Sequence, residues 1–132
     1  MEKNEPIPSA IARFIITSID SVPHLEALLL FRLGTEAEWD AKIMAQRLYI
    51  AEKRATEILE DLYSAGFVAR QGNAPHSYRY EPTSVELKEM IESLADIYAK
   101  NLLEVTHLIH SKIDKQAREF GDAFKWRKRK EL

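Results

Sequence analysis

The 132-residue sequence predicts a mainly α-helical fold with one small β-hairpin, and three observations predict it. Apolar residues recur at helical three- and four-residue spacing over most of the chain. Between residues 66 and 82 that period gives way to two short strand-like runs flanking a turn-rich segment. After Pro82 the helical period returns and runs for up to 37 residues without proline or glycine.

Each element has its own local reason. Met1 to Pro8 is polar with two prolines, an opening with nothing to hold it. Ile11, Phe14, Ile15 and Ile19 then form one apolar stripe, the mark of a first helix. Ser21 is suited to cap a second helix with Pro23 in its first turn, an apolar run through Leu25, Leu28, Leu29 and Phe31, and Gly34 at its close. Thr35 to Asp40 reads as a polar connection containing Trp39, with Asp40 capping a short helix through Ile43, Met44 and Leu48. Tyr49-Ile50-Ala51 is a tight break. A further helix from about Glu52 to Ala65 turns Ala55, Ile58, Leu59 and Leu62 inward and stops at Gly66.

Phe67 to Arg70 and Ser77 to Tyr80 have strand character, and Gln71 to His76, with Gly72, Asn73 and Pro75, supplies the turn between them. Thr83 or Ser84 can cap the last helix, with Glu86 in its first turn. Along it Leu87, Ile91, Leu94, Tyr98, Leu102, Val105 and Ile109 follow at steps of 4, 3, 4, 4, 3 and 4, a near-heptad seam. A rod of 37 residues, about 55 Å at the helical rise, is too long to bury that seam on a small domain. The expectation is a second copy pairing along those seven residues as a homodimer.

Composition narrows the class. Hydrophobic residues make up 45% and charged residues 30%, as in an ordinary globular domain. With no cysteine, disulfides, thiolate metal sites and cysteine nucleophiles are excluded, which fits a reducing compartment. The apolar stretch Ile7 to Ile19 holds thirteen residues interrupted by Arg13, too short for a bilayer span, so a cytoplasmic location without membrane insertion is expected. Net charge is -2, which excludes a globally basic nucleic-acid binder. Across residues 41–80, however, Lys42, Arg47, Lys53, Arg54, Arg70 and Arg79 outnumber Glu52, Glu57, Glu60 and Asp61.

The order helix, tight turn, helix, hairpin over residues 40–82 is that of a winged helix-turn-helix. Small Ala45 allows close helix approach, Ile50 plugs the turn, and the Ala55, Ile58, Leu59 and Leu62 face packs on the base. The segment Ile43-Met44-Ala45-Gln46-Arg47-Leu48-Tyr49-Ile50-Ala51 and the helix ending Leu62-Tyr63-Ser64-Ala65-Gly66-Phe67-Val68 resemble the winged-helix regulators of the MarR and related bacterial families. The match covers about forty residues. Tyr49 stands where those families usually carry glycine, and Ala51 where they usually carry a capping serine or threonine, whose loss costs about 1 kcal/mol. The expected layout is a winged helix-turn-helix domain over residues 1–82, a dimerisation helix over 83–120 and a basic tail over 121–132.

That resemblance implies double-stranded DNA as partner, the second helix entering the major groove and the wing lying at the minor groove. Lys53 and Arg54 are suited to phosphate or guanine edges, Thr56 to a thymine methyl or phosphate, and Glu57 to a cytosine amine, with Lys42, Arg47 and Glu52 beside them. In the wing Arg70, Gln71, Asn73, His76 and Arg79 surround a turn, and Arg79 best suits a narrow electronegative groove. The same charges also suit a solvated helix face, and Arg79 a cross-strand ion pair.

Glu104, His107 and His110 tempt a metal reading, but six helical residues carry His110 far from the face of Glu104, so neither metal nor cofactor is expected within one chain. A site made by His107 and His110 with a partner subunit stays open. The tail Phe124 to Lys130 has five cations and two aromatics, suited to phosphate, an anionic surface or an acidic protein partner. No phosphate loop, metalloprotease pair or nucleophile elbow occurs, so no enzyme is expected. The functional expectation is a homodimeric DNA-binding transcriptional regulator, with or without a ligand pocket between the first helices and the last. The alternative is a winged helix that docks a signalling or membrane partner without DNA.

Overall fold

The computed structural model of the protein describes residues 7–115. In chain order, α1 (Ser9–Ser18), α2 (Val22–Leu33), α3 (Ala41–Leu48), α4 (Glu52–Ser64), β1 (Val68–Gln71), β2 (Ser77–Tyr80) and α5 (Val85–Lys100) are followed by a helical stretch over 102–115, here α6. The basic tail 121–132, residues 1–6 and the expected continuation of the last helix over 116–120 lie outside the described residues.

The helix starts follow their caps. The hydroxyl of Ser21 accepts from the His24 amide at 3.4 Å, the Asp40 carboxylate from Ile43 at 2.8 Å, and Ser84, of the two candidates, from Leu87 at 3.0 Å. Ala51 gives α4 no side-chain cap. Its start is held instead by burial of Ala55, Ile58, Leu59 and Leu62 against α2 and α3. Gly66 ends the turn after α4 at φ 86, a conformation that strains any side chain, and a Cβ there would also crowd the Thr83 hydroxyl at 3.0 Å.

The hairpin is antiparallel, pairing Val68 with Tyr80, Ala69 with Arg79, Arg70 with Tyr78 and Gln71 with Ser77. Trp39, read above as part of a polar connection, makes a one-residue bridge to the wing. Its amide donates to the Tyr78 carbonyl at 2.8 Å and its carbonyl accepts from the Tyr78 amide at 2.7 Å. The Trp39 ring is buried and tilts on Phe31 at 5.8 Å between centroids, so the bridge joins α2 to the wing.

The single long helix expected over 83–120 is interrupted. Asn101 leaves the helical region at φ -131 and ψ 50, its amide closes α5 on the Ile97 carbonyl, and its own carbonyl accepts from Val105 to begin α6. Asparagine is a poor interior helix former because its side chain competes for nearby backbone groups. The break changes where the seam goes. Ile91, Leu94, Tyr98, Val105 and Ile109 are buried by the chain itself, Leu87 is half-buried, and Leu102 is left 51% exposed.

The assigned intersubunit seam is therefore corrected: those five side chains belong to the protein's own core. A straight rod could not have placed both halves of the seam on a small domain, whereas two shorter helices can. Tyr98 of α5 donates to Glu26 of α2 at 2.6 Å, and Lys112 of α6 donates to the Ile19 carbonyl, after α1, at 3.1 Å. Burial first and the Glu26 carboxylate second push the Tyr98 phenol up to about 12. Among the described residues no single helix is long and apolar enough to cross a membrane, and α1 and α2 meet at a bend of 108°.

Candidate nucleic-acid interface

Helices α3 and α4 and the hairpin form the surface on which the expected contacts fall. The turn between the helices works because Tyr49 adopts the left-handed conformation, φ 59 and ψ 46, and closes α3 with its amide on the Ala45 carbonyl. The Ile50 amide reaches the same carbonyl at 3.1 Å, and the half-buried Ile50 side chain packs on the core as the turn's plug. The chain then re-enters helix at Glu52 with its charged side outward.

On that side Glu52, Lys53, Thr56 and Glu57 are exposed and Arg54 is half-buried. The Thr56 hydroxyl donates back to the Glu52 carbonyl at 3.1 Å, and the residue is exposed. Arg54 pairs with Glu57 at 3.3 Å, an exposed pair one turn apart that contributes little and yields easily to another anion. Among the described residues Lys42 and Lys53 have no ion-pair partner, so both ammonium groups are available. Arg47, exposed in the last turn of α3, lies with its guanidinium 5.5 Å from the Trp39 ring centre.

The wing residues are not equally free. Arg70 donates to Glu60 of α4 at 2.7 Å and lies 4.2 Å from the Tyr63 ring centre, so it is turned onto the helix rather than outward. The Tyr78 hydroxyl donates to the other oxygen of the same carboxylate in a short hydrogen bond. The Tyr78 bond first and the Arg70 pair after it hold the Glu60 carboxyl below the usual carboxylate range, while burial and the adjacent carboxylate push the Tyr78 phenol up. His76 is half-buried with Nδ1 2.8 Å from the Gly72 carbonyl, bracing the hairpin tip. Arg79 is exposed and its 3.4 Å contact with Glu81 is loose, so it is the wing cation best able to reach out.

The Glu60 tie was invisible as such in the sequence, where Glu60 reads as another outward charge. The signal was the strand register: Arg70 opposite Tyr78 puts both side chains on one face, and α4 covers that face. Glu60→Gln is expected to loosen the wing from α4. The folded-state Glu60 pKa is depressed, so its stabilising effect is present at neutral pH and is lost as pH falls through that depressed value. Thermal unfolding from pH 7 downward checks this, wild type losing stability on acidification more steeply than the glutamine variant.

Asp20, His24 and Asp61 form the one group among the described residues whose metal-ligating atoms lie together, all within 4.8 Å. Each already has a partner in the protein. His24, buried, contacts the Ser21 hydroxyl at 2.6 Å and Asp61 at 2.8 Å, while Asp20 faces Lys112 at 3.8 Å. The cluster ties α2, α4 and α6 together. His107 and His110 lie exposed along α6 beside a shallow cleft of about 540 Å³.

No family model and no curated protein matches the chain. Two solved structures are similar to it. HlyU from Vibrio cholerae shares 26% identity over 75% of this chain and 99% of its own, with a TM-score of 0.51. Reduced HlyU from the same organism shares 24% over 68% of this chain and 90% of its own, with a TM-score of 0.50. The mainly α fold with a two-stranded hairpin matches the winged-helix fold of HlyU.

Proposed function

We propose that the protein is a cytoplasmic DNA-binding transcriptional regulator, MarR-like in its helix-turn-helix, that acts as a homodimer with α4 in the major groove and the hairpin at the minor groove. One observation carries the reading: α4 stands on a buried base with Lys53, Arg54 and Thr56 outward, next to a short α3 bearing the exposed cation Lys42. The likeness to HlyU supports it. Lys42, Lys53 and Arg54 meet phosphate or guanine edges, Thr56 and Glu57 meet bases, and Glu52 faces the groove entrance. Arg47, Arg70 and His76 act by holding the base of α3 and the wing, and Arg79 enters the minor groove.

In this reading the two copies pair through the outer side of α6, where Leu102 is 51% and Leu103 77% exposed, and not through the buried seam. The paired recognition helices then address half-sites about one helical turn apart. The reading contains no catalytic step. Fluorescence anisotropy with duplex fragments over a salt series is the test. Lys53→Ala together with Arg54→Ala is expected to weaken binding at least tenfold and to reduce the salt slope by about 2. Unchanged affinity in that double variant removes the assigned contacts, and a monomer mass by light scattering removes the pairing.

A further inference from the structure

We infer that Tyr49 is a duplex contact, its phenol reaching a backbone phosphate at the mouth of the helix-turn-helix, an inference that rests on the DNA-binding reading above. It starts from a residue the fold alone does not favour. Tyr49 is held at φ 59, where a side chain crowds its own backbone and where glycine or asparagine would sit more easily. Such strain is normally offset by packing, yet Tyr49 is 93% exposed. Among the described residues neither its ring nor its hydroxyl has a partner. For folding, a smaller residue at this turn would serve better.

Its surroundings say what the ring faces. Tyr49 lines a shallow cleft of about 490 Å³ with Lys42, Gln46, Ile50 and Glu52, between the outer side of α3 and the first turn of α4. Ala51 leaves that first turn without a side-chain cap, so backbone amides there still point outward with the positive end of the helix dipole. The cleft offers a phosphate Lys42, the uncapped α4 amides and the Tyr49 hydroxyl, with the Glu52 carboxylate the one opposing charge in its lining. The phenol donates one hydrogen bond to a phosphate oxygen, and the ring lies against the neighbouring sugar. Because phosphate carries no sequence information, the contact raises affinity for all duplexes alike.

The test uses the full chain with Tyr49→Phe, Tyr49→Asn and Tyr49→Gly, measured by anisotropy on a mixed-sequence duplex and by thermal unfolding. Asparagine tolerates the left-handed conformation and so keeps the turn shape that glycine would free. The expected result is an unfolding temperature raised by about 4 °C in the Asn and Gly variants, affinity about tenfold weaker in both, and an intermediate loss in Phe. Asn and Gly variants that bind the duplex as wild type does overturn the contact while leaving the DNA reading intact. Variants that bind weakly and also unfold earlier overturn it as well, by assigning the ring a structural role. A wild-type protein that retains no duplex at low salt overturns the DNA reading, and the Tyr49 contact with it.

Discussion

Phe31→Ala is expected to lower stability by about 3–5 kcal/mol, a large share of what holds a domain of this size together. Phe31 is fully buried on α2 and carries the Trp39 ring, whose backbone in turn pairs with Tyr78 of the wing. Truncation removes the side chain's own burial, leaves a cavity that the surrounding helices close only in part, and frees Trp39 to move. Urea unfolding followed by tryptophan fluorescence measures it. The midpoint should fall with the slope unchanged, as for a two-state loss of stability without a change in the surface exposed. A loss below about 1 kcal/mol would mean that the α2 face is not packed as described.

Leu94→Ala is expected to cost about 2–5 kcal/mol and to leave the oligomeric mass unchanged. Leu94 is fully buried within its own chain, between Ile91 and Tyr98 on α5. Were it part of an intersubunit seam, the stability lost on truncation would vary with protein concentration and the mass by light scattering would fall. Unfolding at two protein concentrations, combined with light scattering of both proteins, separates the cases. A concentration-dependent loss would return the seam to the subunit interface. The contrasting substitution is Leu103→Ala on the exposed side of α6, where the pairing proposed above would be felt without damage to the core.

Much of the fold was legible because its signals are local. The caps Ser21, Asp40 and Ser84, the stop at Gly66 and the inward face of α4 each depend on interactions within a few residues. The period change between residues 66 and 82 marked the hairpin for the same reason. The last helix was misread because a near-heptad spacing is satisfied equally by another subunit and by the chain's own core. Asn101 is only a weak signal for a break, and the choice depended on whether α1 and α2 offered a surface to fold back on. The candidate contacts on α4 could be named from helical geometry, since outward positions follow from the buried ones. Those of the wing could be named but not sorted into tied and free, because a four-residue strand does not reveal what covers its faces.

The amino-acid order by itself determined α1 to α4, the start of α5, the hairpin and the outward side of α4, since backbone propensity, capping and apolar period act over distances of a turn or two. Tertiary packing alone decided that the α5–α6 seam is core, that Trp39 joins the wing, and that Arg70 is tied to Glu60 while Arg79 faces outward. The physical reason is that burial and ion pairing depend on which surfaces meet, and residues far apart in the chain, such as Glu26 and Tyr98 or Ile19 and Lys112, meet only once the helices have packed.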